Sequence, residues 1–206
     1  MLRPLWYHWP EADWTSTCDD EYMLGDAVLH APLLDPTSKS RTVRLPDGYW
    51  YDWKGSRYLA GDRSFTVRCT RNETPLYLRS GSIIPMFPGV RTTNEKDLRR
   101  VDLFIVVSEG ETGTYRYCAD DGHTLAYREG VRSELELSYE VCDGILKLEA
   151  VVTNSTYGPI NYRIMVPCMA GIRQVMVNGQ NILLEREKLS FAGKENKVLA
   201  SPVILA

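Results

Sequence analysis

Ser133-Glu134-Leu135-Glu136-Leu137-Ser138-Tyr139-Glu140-Val141-Cys142-Asp143-Gly144-Ile145-Leu146-Lys147-Leu148-Glu149-Ala150 decides the fold class. Leu135, Leu137 and Tyr139 alternate with Glu134, Glu136 and Ser138, and beyond Asp143-Gly144 the beat resumes with Leu146, Leu148 and Ala150 against Lys147 and Glu149. Period two is the mark of a strand with one face buried and one in water. Asp143-Gly144 suits a two-residue hairpin, whose central positions both want positive φ.

The same rhythm runs outward in both directions. Val43 and Leu45, then Phe65, Val67 and Cys69, then Leu76 and Leu78, and later Tyr162, Ile164 and Val166, all alternate with polar neighbours. Ile83-Ile84-Pro85-Met86 and Val101-Asp102-Leu103-Phe104-Ile105-Val106-Val107 are continuously apolar, as strands covered on both faces would be. Turn pairs such as Ser80-Gly81 and Asn178-Gly179 punctuate the runs at the spacing of an all-β sandwich. Residues 18–24 are the one helical candidate, with Asp19, Asp20 and Glu21 placed for the positive end of a helix dipole. The expectation is an all-β chain of two consecutive antiparallel β-sandwich domains, at residues 27–88 and 99–206. A polar, non-periodic linker at 89–98 separates them. Residues 1–26, with Trp6, Trp9 and Trp14, fit neither and look like the tail of something larger.

Composition narrows the function classes. A net charge of -3, from 24 basic and 27 acidic residues without a basic face, argues against nucleic acid and anionic membranes as partners. No apolar run approaches the roughly 20 residues of a membrane helix, and residues 1–10 do not form a signal-peptide core. The five cysteines, Cys18, Cys69, Cys118, Cys142 and Cys168, are odd in number and lack a C-x-x-C. They read as buried reduced thiols and lean toward a cytoplasmic setting. The sequons at Asn72 and Asn154 are taken as chance.

Candidate chemistry is sparse. His8, His30 and His123 have no companions at triad or metal-ligand spacing, so no catalytic residue, metal site or cofactor is assigned. Asp19-Asp20-Glu21 reads as helix-start charge and Asp120-Asp121 as turn chemistry, because strand neighbours point to opposite faces. Tyr49-Trp50-Tyr51-Asp52-Trp53 places Tyr49, Tyr51 and Trp53 on one strand face, where three rings could stack on an oligosaccharide. Burial is favoured over sugar binding, since no polar set for hydroxyls accompanies them.

Four ordered stretches resemble a known family. Arg3-Pro4-Leu5 followed by Glu21-Tyr22-Met23-Leu24-Gly25-Asp26 is similar to the barrel exit of glycoside hydrolase family 31, the α-glucosidase family. Leu45-Pro46-Asp47-Gly48-Tyr49-Trp50-Tyr51-Asp52-Trp53, Thr74-Pro75-Leu76-Tyr77-Leu78-Arg79-Ser80-Gly81-Ser82-Ile83-Ile84-Pro85 and Asp120-Asp121-Gly122-His123-Thr124-Leu125-Ala126-Tyr127 resemble its later hairpins. Glu21, His30 and Cys118 depart from the pattern: glutamine, a small or apolar residue and an aromatic residue are usual there.

The resemblance implies that residues 1–26 are the remnant of a (β/α)8 barrel and that the proximal and distal β-sandwiches follow. Family members use one aspartate in a W-x-D-M-x-E segment and another in W-x-G-D-N, and no tryptophan here has either context. The chain is therefore expected to be inactive alone, a noncatalytic part of a retaining α-glycosidase that buttresses the parent's catalytic barrel. Met1-Leu2 then reads as an internal position of a longer gene. Self-association through residues 1–26 is a further expectation. The alternative is a stand-alone carbohydrate-binding or interaction module using Tyr49, Tyr51 and Trp53.

Overall fold

A computed structural model describes all residues except 71–72, 88–98, 168–169, 192–193 and 204–206, and the expected linker at 89–98 and Cys168 lie outside the described residues. The chain divides into two compact units, Met1–Ser82 with Lys188–Lys197, and Ile83–Glu187 with Val198–Ala206. No described helix is long and apolar enough to cross a membrane.

The first unit holds β1 (Leu2–Pro4), β2 (Tyr22–Leu24), β3 (Val28–His30), β4 (Ser40–Leu45), β5 (Tyr49–Asp52), β6 (Arg57–Ala60), β7 (Arg63–Arg68) and β8 (Leu76–Arg79). Six of these form a sheet in the order β1-β2-β3-β8-β5-β6, and β4 pairs with β7 as a ribbon. Its core joins Leu5, Met23, Leu29, Trp50 and Tyr77 to Val43 and Leu45 of the ribbon. Residues 1–26 belong to this core: β1 pairs antiparallel with β2, and Trp9, Trp14 and Cys18 pack against the buried cluster.

The expected helix at 18–24 is absent. Two short 3-10 turns, Leu5–Tyr7 and Asp13–Thr17, precede it, and Tyr22–Leu24 pairs on both sides as a strand instead. A three-residue apolar run carries no period of its own, so the available strand partners decide.

The second unit holds β9 (Ser82–Met86), β10 (Arg100–Val106), β11 (Thr112–Ala119), β12 (Ser133–Cys142), β13 (Ile145–Ser155), β14 (Asn161–Pro167), β15 (Gln174–Val177) and β16 (Gln180–Ile182), while β17 (Glu185–Phe191) and β18 (Lys194–Val203) are divided between the two units. Two five-stranded sheets, β17-β18-β14-β10-β9 and β11-β12-β13-β15-β16, close over one core that includes Leu103, Ile105, Leu135, Leu146, Ile164 and Val175.

The sheets are not purely antiparallel, since β10 pairs parallel with β14 and β13 parallel with β15. Each parallel pair is separated in sequence by excursions through the opposite sheet, which supply the long crossover that parallel pairing requires. Residues 101–107 are buried on both faces as expected. Asp102 survives there because Arg163, its register partner on β14, donates from Nε at 3.0 Å and from Nη2 at 2.6 Å. In β9 only Ile83 is buried: the strand is a sheet edge, where Pro85 removes no needed donor.

Asp143 and Gly144 take φ of 54° and 69°, and Asn178 and Gly179 take 49° and 77°, so both predicted hairpin turns form. The cysteine reading needs correction: Cys69 is buried and Cys18 half-buried, but Cys118 and Cys142 are exposed, on an outward strand position and beside a turn.

Candidate interaction surface

The aromatic strand β5 is built into the first sheet between β8 and β6. Trp50 is fully buried, and its indole N–H donates to the Pro46 carbonyl at 3.0 Å while its ring packs 5.7 Å from Trp9. Asp52, at 5% exposure, accepts from the Gly55 N–H at 2.9 Å and from Arg57 Nε at 3.3 Å. The strand ends at Asp52, so Trp53 lies beyond the alternation. Tyr51 and Trp53 are 0% and 2% exposed, with Tyr51 edge-on to both Trp53 and Tyr58. Tyr49, at 58% exposure, is the one ring of the expected three that a ligand can reach.

The face of the sheet that carries Tyr51 continues across the strands. Register places Leu2 opposite Leu24, Leu24 opposite Val28, Val28 opposite Leu78 and Leu78 opposite Tyr51. Leu78 and Tyr51 are buried, whereas Leu2 is 63% and Leu24 40% exposed. Trp6 and Tyr7, in the turn that follows β1, are half exposed or more. The β1 end of the sheet therefore presents apolar side chains to solvent on the face where Leu78 and Tyr51 are buried. Arg3 rims this end, ion-paired to Asp26 and lying over the Tyr7 ring.

The histidines stay apart. Burial holds His8 below the usual imidazole range, and His30 is lowered by burial and by the charge of Arg41. His30 Nδ1 meets the Tyr22 hydroxyl at 2.5 Å, while His123 is exposed in its loop. Asp121 accepts from the Thr124 hydroxyl and amide and from the His123 amide, which hold its carboxyl down at about 2. Glu109, Cys142 and Asp143 come within 4.8 Å of one another at the surface. Both Glu109 oxygens are occupied there, accepting from the backbone N–H groups of Asp143 and Gly144.

The reading of Asp19-Asp20-Glu21 as helix-start charge fails. Glu21 is 4% exposed, and its Oε1 accepts from Arg41 Nη2 at 3.0 Å and from the Arg44 N–H at 2.9 Å. Arg41 also bonds Asp20 Oδ2 and the carbonyls of Asp20 and Pro32. Spacing gave no signal for this hub, because its members lie 20 residues apart. A carboxylate followed directly by Tyr22 and Met23 was the one cue to burial.

Residues 1–84 match the family described as glycosyl hydrolase family 31 C-terminal domain. The chain carries a family 31 C-terminal domain. Among relatives, neutral alpha-glucosidase AB of Sus scrofa is 33% identical over 63% of this chain, and alpha-xylosidase of Saccharolobus solfataricus is 32% identical over 63%. The chain spans 14% and 18% of their respective lengths. Among solved structures, the family 31 dextranase of Flavobacterium johnsoniae covers 98% of this chain with a TM-score of 0.77 at 19% identity. The match takes in 27% of the dextranase. The alpha-xylosidase of Xanthomonas citri covers all of this chain and matches over 21% of its own length, with a TM-score of 0.62 at 23% identity. The fold shared with these two structures thus extends past residue 84.

Proposed function

We propose that this chain is a noncatalytic C-terminal β-region of a retaining α-glycosidase, and that it buttresses a catalytic barrel through the β1 end of its first sheet. The observation that carries this reading is the apolar row running across the sheet from Tyr51 to Leu2, closed at Tyr51 and open at Leu2 and Leu24. Side chains of this kind facing water in a contiguous group mark a surface built for a partner. The matched relatives fit the reading, because the region corresponding to this chain is a small fraction of a longer glycosidase.

Supplied with the separately produced family 31 barrel of its own parent, the chain is expected to restore hydrolysis of a nitrophenyl α-glycoside. Leu24→Asp is expected to block that restoration. The chain alone is expected to show no turnover, since neither carboxylate of the retaining mechanism is present. Turnover by the chain alone, or restoration indifferent to Leu24→Asp, would overturn the proposal. The barrel remnant in residues 1–26 and the domain limits at 27–88 and 99–206 belong to the same proposal.

A further inference from the structure

Arg41 is a fully used donor: Nε to Thr42 O, Nη1 to the carbonyls of Asp20 and Pro32, and Nη2 to Asp20 Oδ2 and Glu21 Oε1. It ties residues 20 and 21, which lead into β2, to β4 of the ribbon. Two carboxylates therefore face one guanidinium, and they are not equivalent. Asp20 keeps 46% of its side chain in water, whereas Glu21 keeps 3%. Glu21 Oε2 is buried with no hydrogen-bond partner. With both carboxylates ionised, the cluster holds one uncompensated negative charge, and it falls on the group with least water to solvate it. The surroundings do not offset it: Cys18 and Tyr77 add no positive charge, Arg44 contributes its backbone N–H while its guanidinium lies over Trp14, and His30 is lowered from the usual imidazole range by burial and Arg41.

We propose that Glu21, Asp20 and Arg41 form a proton-operated latch, in which a proton on Glu21 holds residues 18–21 closed against β4 and loss of that proton loosens the first unit. Burial pushes the Glu21 carboxyl up to about 7, against the opposing pull of the Arg44 N–H and Arg41, and places the transition in the neutral range. A carboxyl raised in the folded state binds more protons folded than unfolded. Stability is then highest below the unfolded value and falls as pH rises toward about 7. The two lowered histidines act in the opposite direction, gaining stability as pH rises through their range, so they cannot mimic the effect.

All five tryptophans, Trp6, Trp9, Trp14, Trp50 and Trp53, lie in the first unit, so selectively excited tryptophan fluorescence reports that unit. Fluorescence melts of the full chain and of Glu21→Gln, taken at pH 5 and pH 8, test the latch. The variant is expected to match the parent at pH 5 and to melt about 3 to 8 °C higher at pH 8. An equal offset at both values, or a lower melt at pH 8, overturns the proposal. Should Glu21→Gln not fold, carbon-13 NMR titration of the glutamate carboxyls in the unmodified chain decides. One carboxyl titrating near neutrality supports the latch, and all titrating below about 5 overturns it.

Discussion

Two sheets of this chain, one in each unit, are made in opposite ways. In the second unit, β12 and β13 are 10 and 11 residues long, alternate in period two and are joined by a two-residue turn, so neighbours in sequence are neighbours in space. In the first unit, β1, β2 and β3 are three residues each, too short to carry a pattern, and β3 pairs with β8 some 50 residues on. What holds them is a core of large side chains and a polar hub whose members come from separate segments. Local chemistry writes the β12-β13 hairpin, and contacts distant in sequence hold the three short strands.

The sharpest way to break this contrast is Trp50→Ala. Trp50 joins the first core to Trp9 and the Pro46 carbonyl, and its truncation is expected to cost about 3 to 5 kcal/mol. Urea titration followed by tryptophan fluorescence measures it, and a cost below about 1 kcal/mol would mean that the short strands hold themselves.

Arg163→Met asks whether the second unit also depends on a distant polar pair. Asp102 is 1% exposed and would lose both its guanidinium bonds, at a cost of about 3 kcal/mol, the low end for a broken buried pair because Arg163 keeps some access to water. Far-ultraviolet circular dichroism in urea gives the value, and a neutral result would leave the second unit resting on its apolar core alone.

Gly144→Ala tests the local turn. Its φ of 69° disfavours a Cβ, which would also stand 3.0 Å from Arg173 Nε and 3.2 Å from the Gly171 carbonyl, so about 1 to 2 kcal/mol should be lost with the fold retained. The smallest effect is expected at Tyr49→Ala, within about 0.5 kcal/mol by the same urea titration, because the ring is mostly in water. If that variant instead abolished a maltooligosaccharide affinity measured by calorimetry, the binding-module alternative would gain its site.

Sequence alone determined what is written in short-range pattern. Alternation gave β12, β13 and the inward residues Tyr162, Ile164 and Val166 of β14, and two-residue turn chemistry gave positive φ at Asp143-Gly144 and Asn178-Gly179. The continuous run at 101–107 gave a strand covered on both faces. Ordered motifs gave the family.

Tertiary structure decided what depends on partners far away along the chain. It turned residues 22–24 from a helix candidate into the second strand of a sheet, because β1 and β3 offered backbone partners on both sides. It buried Tyr51 and Trp53 while leaving Tyr49 in water, since burial depends on what covers a face and not on alternation along one strand. It also brought Glu21 and Asp20 to Arg41: a charge run reads as solvated until the fold closes over it, and the energy of a buried carboxylate is set by surroundings that no local pattern contains.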